Sequence, residues 1–411
     1  MNLPTINNLT IKNKRIFLRA DLNIPLKNKK ILNDYKIKAL LPTIDFIQSS
    51  GGKIILATHM ARPDAHERTN FYEKDLSTKI ISEWFTKNGY AIDYEMDLRK
   101  AAKKSLQQNN EILLIENLRF FNGEQGTSTE QHALSEILLL LADAYVNDAF
   151  GLIHRNDTSI TLLATLFKPQ NRAIGLLIEK EAKHLTRLKN NPYQPFLFLL
   201  GGGKIKGKTP MLAKFIKTIE LNRVATIAIG GAIAHAFLKA TGIHIGKSLI
   251  DETSIPQAAK LLYLAEKNSV NILLPQDVLV QTTPPTTAPP APPTIHSIDS
   301  IPSDGIIIDI GPKTIENYKK SISQAKTIFT NGTMGIYENT KSQRGTKETL
   351  KAIASNTSAY TIAGGGDAIA AIHMFKLEDK FDFLSTGGGA AMAFLGTENP
   401  EKEFPALKAL S

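Results

Sequence analysis

The sequence predicts an α/β protein built from two doubly wound, mostly parallel sheets, and three observations carry that expectation. Short β-branched and leucine-rich runs alternate with segments of helical period along almost the whole chain, which implies strands joined by helices packed on both sheet faces. The length of 411 residues holds two such sheets at the usual ~150 residues per domain. Polar residues gather just after the strand-like runs, where ligands bind in this class of fold, and their chemistry differs between the two halves.

In the first half, RIFLR (15–19), KIILAT (53–58), EILLIEN (111–117) and DAYVND (143–148) read as buried strands. LSTKIISEWFTKNGY (76–90) and EQHALSEILLLLADA (130–144) carry apolar residues at helical spacing. GLLIEKEAKHLTRLKN reads as one amphipathic helix, broken by Pro192 and Pro195, and places the division between halves near 175–195. In the second half the strands are PFLFLL (195–200), RVATIAIG (223–230), NILLP (271–275), GIIIDIG (305–311), TIFTNG (327–332), YTIAGG (360–365) and FDFLST (381–386). QTTPPTTAPPAPP (281–293) cannot hold a helix or a central strand and reads as an exposed loop inside the second half.

Composition excludes several function classes. With 42% hydrophobic and 21% charged residues the chain fills ordinary cores and is not a disordered polymer. Cysteine is absent, which removes disulfide scaffolds, thiolate metal sites and cysteine nucleophiles. No apolar run approaches the ~18 residues of a membrane span, and MNLPTINNLTIKNKR lacks a secretory pattern, so a cytoplasmic protein is expected. The net charge of +10 suits anionic partners. No block of five like charges and no basic-aromatic array occurs, so nucleic acid is not the expected one.

First-half strands run into Arg19-Ala20-Asp21-Leu22-Asn23, His59-Met60-Ala61-Arg62, Glu116-Asn117-Leu118-Arg119 and Asn147-Asp148, followed by His154-Arg155. Planar guanidinium forks hold carboxylate or phosphate, so this rim suits a small ligand with more than one negative group. Second-half strands run instead into Gly201–Gly203, Gly230–Gly231, Gly364–Gly366 and Gly387–Gly389, which together hold 11 of the 27 glycines. Glycine turns entering helices bring phosphate oxygens close to backbone N–H groups. A polyanion on one half and a nucleotide on the other point to phosphoryl transfer. Gly202–Thr209, GGKIKGKT, also matches the G-x-x-x-x-G-K-T phosphate loop, with Asp309 as a candidate metal aspartate, so a P-loop ATPase stays open. Both readings put Lys204 and Lys208 on phosphate.

The motifs RADLNIPL, ATHMARP, ENLRFFNGE, VNDAFGLIHR, LLGGGKIKGK, DIGPKT, NGTMGIYE, AGGGD and STGGGAA occur in an order that resembles the phosphoglycerate kinase family from end to end, the Pro-rich tract apart. The resemblance implies two Rossmann-like domains, 1–175 and 193–399, joined by a helix over 176–192 and a hinge, with the tail 400–411 packing back on the first. It implies reversible phosphoryl transfer between 1,3-bisphosphoglycerate and ADP, giving 3-phosphoglycerate and ATP in glycolysis or gluconeogenesis, with Mg2+ as the cofactor. A monomer acting on these small molecules, without nucleic-acid or membrane partners, follows from the same likeness.

By resemblance, Asp21, Asn23, Lys36, His59, Arg62, Arg119 and Arg155 form the triose-phosphate site. Lys204 stabilises the moving phosphoryl group, Lys36 lies near it, and Lys208 with Gly202 and Gly203 binds nucleotide phosphates. Gly230 and Gly231 make the adenine-pocket turn, Asn331 and Glu338 contact nucleotide, and Asp367 with Ala368 after Gly364, Gly365 and Gly366 meets the Mg2+-nucleotide. Gly365 and Gly388 belong to the backbone cradle of the transferred group. Asp148 and Glu116 are expected to orient neighbours rather than act as bases, and Met60, Trp84 and His235 read as core. Where the family carries arginine, threonine and a second histidine, this chain has Lys36, Ala368 and Asp157. Those departures leave a non-catalytic nucleotide-binding relative open as well.

Overall fold

The protein is described by a computed structural model covering residues 3–61, 63, 74–107, 111–190, 192–203, 212–213, 216, 224–282 and 292–411. It divides into two units, Met1–Lys183 with Asn399–Ser411, and His184–Glu398, so the division falls inside the helix Leu176–Asn190.

The first unit contains β1 (Arg15–Ala20), β2 (Leu26–Lys27), β3 (Lys30–Ile31), β4 (Lys53–Ala57), β5 (Ile92–Glu95), β6 (Ile112–Ile115), β7 (Ala144–Asp148) and β8 (Arg172–Ile174). Six of these form one all-parallel sheet in the order β5-β6-β4-β1-β7-β8, while β2 and β3 pair as a small antiparallel ribbon. The central strands are apolar without alternation because helices cover both faces. Ile16, Leu18, Ile54, Leu56, Ile112, Leu114 and Val146 pack with Ile37, Leu40, Ile44 and Ile47 of the helix Tyr35–Ser49 in one buried cluster. The tail returns to this unit, where Ala406 N–H donates to the Ile153 carbonyl at 3.2 Å and Arg172 donates to Ser411 at 2.8 Å.

The second unit contains β9 (Phe196–Leu200), β10 (Val224–Ile229), β11 (Asn271–Leu273), β12 (Asp277–Gln281), β13 (Thr294–Ser297), β14 (Ile306–Ile310), β15 (Thr327–Asn331), β16 (Tyr360–Gly364) and β17 (Phe383–Ser385). Its parallel sheet runs β11-β10-β9-β15-β16-β17.

GIIIDIG does not join that sheet. As β14 it pairs antiparallel with β12, which pairs with β13, in a separate three-stranded sheet. The Pro-rich tract connects β12 to β13, and Gln281 at its start is a buried strand residue rather than loop. Sequence reading passed over β5 and β8 because both are short edge strands, and β5 is only half buried. The helix expected over 130–144 spans Ser128–Leu139, leaving Leu140 64% exposed.

Three helices start on a carboxylate supplied by a strand end. Glu116 accepts the Thr78 N–H at 2.8 Å before Lys79–Lys87. Asp148 accepts the Ile178 N–H at 2.9 Å in the first turn of Leu176–Asn190, and Asp277 accepts the Thr314 N–H at 2.7 Å in the first turn of Pro312–Gln324. An anion there satisfies orphan amides and meets the positive helix end. Glycine precedes the latter two helices because a Cβ on Gly175 or Gly311 would lie 2.3 Å from the capping carboxylate.

Candidate functional site

The parallel strands of the first unit bring their C-terminal ends to one edge, and with them most of the residues expected there. Asp21 follows β1 and accepts a hydrogen bond from Lys36 Nζ at 2.7 Å. Asn23 Oδ1 accepts the Ala61 N–H at 3.0 Å, and Arg119 donates to the Ala61 carbonyl. Ala61 itself sits at φ +51°, a left-handed conformation uncommon for a side-chain residue. Asn117, which sequence reading left unassigned, fixes the same turn by accepting the Met60 N–H at 3.1 Å and donating to the Met60 carbonyl at 2.9 Å. Its place in the run before Arg119 was the available signal. Asp21, Asn23, Lys36, His59 and Arg119 thus surround one turn.

The electrostatics of this group are one-sided. Burial and the Arg19, Arg119 and Lys36 cations, against the pull of Asp21, lower the His59 pKa to about 3, so the ring is neutral at ordinary pH. Burial acts to raise Asp21, yet the Lys36 ammonium, 2.7 Å away, brings its carboxyl below the usual value. Arg155, after β7 on the same edge, is held from one side: Asp157 accepts from its Nε at 2.9 Å and its Nη2 at 3.1 Å.

Arg19 behaves otherwise. It stands at a strand end like the other arginines, but it is fully buried, donates to Ser159 Oγ at 2.7 Å and pairs with Glu124 at 3.6 Å. It is a core ion pair and presents no fork to a ligand. Arg62, Lys204 and Lys208 lie outside the described residues.

In the second unit the glycine turns fall into two kinds. Two of them are zipped to each other and to the segment Thr333–Met334 by backbone bonds: Gly202 N–H to the Thr333 carbonyl, Gly231 N–H to the Met334 carbonyl, both 2.8 Å, and Ile233 N–H to the Gly202 carbonyl, 3.1 Å. No side chain fits between them. A Cβ on Gly230 would lie 2.5 Å from Met334 Sδ, and one on Gly231, at φ +61°, would lie 2.6 Å from the Thr333 oxygen. Gly388 is also a packing glycine, since its Cβ would reach the Gly365 Cα at 2.1 Å. Asn331 is buried and its Nδ2 donates to the Gly388 carbonyl at 3.2 Å, so this side chain holds the glycine turn. Gly203, Gly366 and Gly389, by contrast, have no atom of the described residues within 4 Å of a Cβ.

These turns border a cavity of about 390 Å³, within the range of small-molecule sites. Gly202, Gly203, Gly231, Glu338 and Asp367 line it. Burial and the nearby Glu338 and Asp367 carboxylates push the Tyr337 hydroxyl up to about 12, which places both acids beside one phenol. Ala368, in the first turn of Gly366–Met374, is fully buried and presents no side chain to the cavity. Among the described residues no group of three or more His, Asp or Glu could hold a metal ion by itself. An exposed single carboxylate such as Asp367 fits a magnesium ion held mainly by water and phosphate oxygens.

Asp309 does not fit the role of a metal aspartate at a parallel strand end. It lies in the antiparallel sheet, is buried, and accepts the Gly345 N–H at 2.7 Å; burial pushes its carboxyl up to about 7.

Residues 6–398 match the family model described as phosphoglycerate kinase. A phosphoglycerate kinase of Dictyoglomus turgidum is 37% identical over 391 residues, 95% of each chain. Two solved phosphoglycerate kinases share the architecture. That of Pyrococcus horikoshii has a TM-score of 0.83 at 28% identity, and that of Coxiella burnetii 0.76 at 32%, each covering 99% of this chain and 98% of its own.

Proposed function

The chain belongs to the phosphoglycerate kinase family and catalyses that family's reaction, phosphoryl transfer between 1,3-bisphosphoglycerate and ADP to give 3-phosphoglycerate and ATP, and we propose how its own residues divide the task. Nothing in the comparisons favours the non-catalytic or the P-loop ATPase reading.

The triose phosphate binds at the first unit's strand-end edge. Arg62, Arg119 and Arg155 take its anionic groups, Asn23 and Asp21 orient its polar ones, and neutral His59 offers hydrogen bonding without adding charge. The nucleotide binds in the second unit's cavity, with its base near Gly230 and Gly231, Glu338 toward the ribose, and its phosphates at the open glycine amides and Lys208. Asp367 would hold Mg2+, which supplies charge neutralisation for the phosphate oxygens when bound. Lys204 and Lys36 stabilise the moving group. Attack by a carboxylate needs no general base, so positioning and charge stabilisation suffice. Joining the two reactants requires hinge closure, which also expels water and strengthens every polar contact. Family likeness supports a monomer working in the cytoplasm.

One observation carries this division: cationic forks collect at one parallel sheet's strand ends, and glycines with clear space about them collect at the other's. A coupled assay with 3-phosphoglycerate and MgATP tests it. Lys204→Ala is expected to lower kcat by about a thousandfold while nucleotide still binds, as loss of a transition-state cation does. A kcat within tenfold of the parent would reject the assignment of Lys204.

A further inference from the structure

His235 lies in the helix Ile233–Ala240, directly after the Gly230–Gly231 turn, and read in sequence as core. Only 4% of it is exposed, yet it lines the cavity with Leu238, Val278, Ile308 and Met334, apolar members of a lining whose carboxylates are Asp309, Glu338 and Asp367. Its Nδ1 lies 2.9 Å from the Leu249 carbonyl oxygen. A carbonyl can only accept, so Nδ1 carries the hydrogen. Burial, against the pull of that carbonyl, holds the ring's pKa below the usual histidine value, so the imidazole is neutral and has a single N–H. Nε2 is therefore a bare acceptor.

No described group bonds to Nε2. Nor is it among the sealed, unpartnered nitrogens, as His59 Nδ1 is. His235 lines the cavity, and with Nδ1 turned to Leu249, Nε2 is the ring nitrogen left for a ligand there. A neutral, directional acceptor beside apolar side chains selects for a ligand that brings a donor to that point.

We infer that His235 reads the base of the bound nucleotide: its Nε2 accepts a hydrogen bond from the exocyclic 6-amino group of adenine, and the enzyme prefers 6-amino purine nucleotides. The inference rests on the reading of this cavity as the base pocket. It assigns selectivity to a side chain in a pocket whose turns are otherwise backbone. A purine lacking the amino group loses one hydrogen bond. A 6-oxo purine turns a second acceptor toward the first, which costs more.

Steady-state kinetics at saturating 3-phosphoglycerate with the magnesium complexes of ATP, purine riboside triphosphate and ITP test this on the unmodified enzyme. The KM is expected to rise about fivefold from ATP to purine riboside triphosphate and at least about tenfold to ITP, with kcat little changed. His235→Phe keeps a ring and removes the acceptor. The three KM values should then converge to within about twofold through a rise in that of ATP. Equal KM values for ATP and purine riboside triphosphate on the unmodified enzyme would overturn the inference, whether or not the variant folds. So would an ATP preference that survives in His235→Phe.

The pocket reading has its own control. Leu249 is 81% exposed on the cavity's rim, so Leu249→Trp narrows the opening without entering the core. It should raise all three KM values together. If it changes none of them, the cavity is not the base pocket, and that failure is separate from the outcome for His235.

Discussion

In the proposed division of the task, the two units solve the same problem, holding an anion at the ends of parallel strands, with opposite materials. The first uses side chains, and each is itself held: Lys36 by Asp21 at 2.7 Å, Arg155 by Asp157 at 2.9 and 3.1 Å, Arg119 by the Ala61 carbonyl. The second uses backbone, and its precision comes from glycines packed against one another. Side-chain forks tolerate variation in the chain beneath them but need partners to fix their direction. Backbone amides are fixed by the fold, but a single added methyl group can displace them. The first rim should therefore respond to substitution mainly through charge, and the second mainly through shape.

The largest effect expected from that contrast lies at Gly388. A Cβ there would sit 2.1 Å from Gly365 Cα and 2.3 Å from its nitrogen, and neither backbone can give way as a flexible side chain would. Gly388→Ala should lower stability by roughly 3 kcal/mol and kcat more than tenfold. Gly389→Ala makes no such contact and adds a better helix former, so stability should hold or rise by up to about 1 kcal/mol. Thermal melts of the pair decide between packing and mere sequence context. Equal losses in both would show that the glycines are not divided as described.

This pair also marks the limit of what was legible in sequence. Strand-end positions and residue types were readable because parallel βα units put their ends on one edge. Glycine enrichment was readable too, but not which glycine faces a ligand. Gly388 and Gly389 are adjacent and identical in chemistry, and only the approach of Gly365 separates them. Arg19 failed for a related reason. Its partners Glu124 and Ser159 come from 105 and 140 residues away, so nothing nearby warned that the guanidinium is neutralised inside the core. GIIIDIG failed because a strand followed by a helix has the same local pattern whichever sheet it joins.

An intermediate effect concerns pH, and two buried groups, His59 and Asp309, supply opposite signs. The unfolded chain protonates His59 near pH 6.5, whereas the folded chain resists to about 3, so this group removes stability as pH falls below about 6.5. Asp309 ionises near 3.8 when unfolded but only near 7 when folded, so it removes stability as pH rises from about 4 to about 7. Thermal midpoints against pH should show His59→Gln flattening the acid limb. Asp309→Asn should gain on the parent toward neutrality, each by a few degrees, roughly the equivalent of 1–2 kcal/mol. Curves parallel to the parent's would refute the burial account for that residue.

The smallest effect is the most specific to this chain. The resemblance read in the sequence puts Lys36 where the family carries arginine, and its single ammonium is engaged by Asp21 at 2.7 Å. An ammonium is a point charge, so what it gives to Asp21 it offers less directionally to the moving group. An arginine could bind Asp21 with one nitrogen and keep another edge for the developing charge, a contact made mainly in the transition state. Lys36→Arg is therefore expected to raise kcat about threefold, the rate equivalent of one modest hydrogen bond, with nucleotide KM nearly unchanged. A fall in 3-phosphoglycerate KM at constant kcat would mean that the fork binds the ground state as well. An unchanged or lower kcat would mean that Asp21 and Lys36 are already matched, and that the side-chain rim is tuned as a set rather than residue by residue.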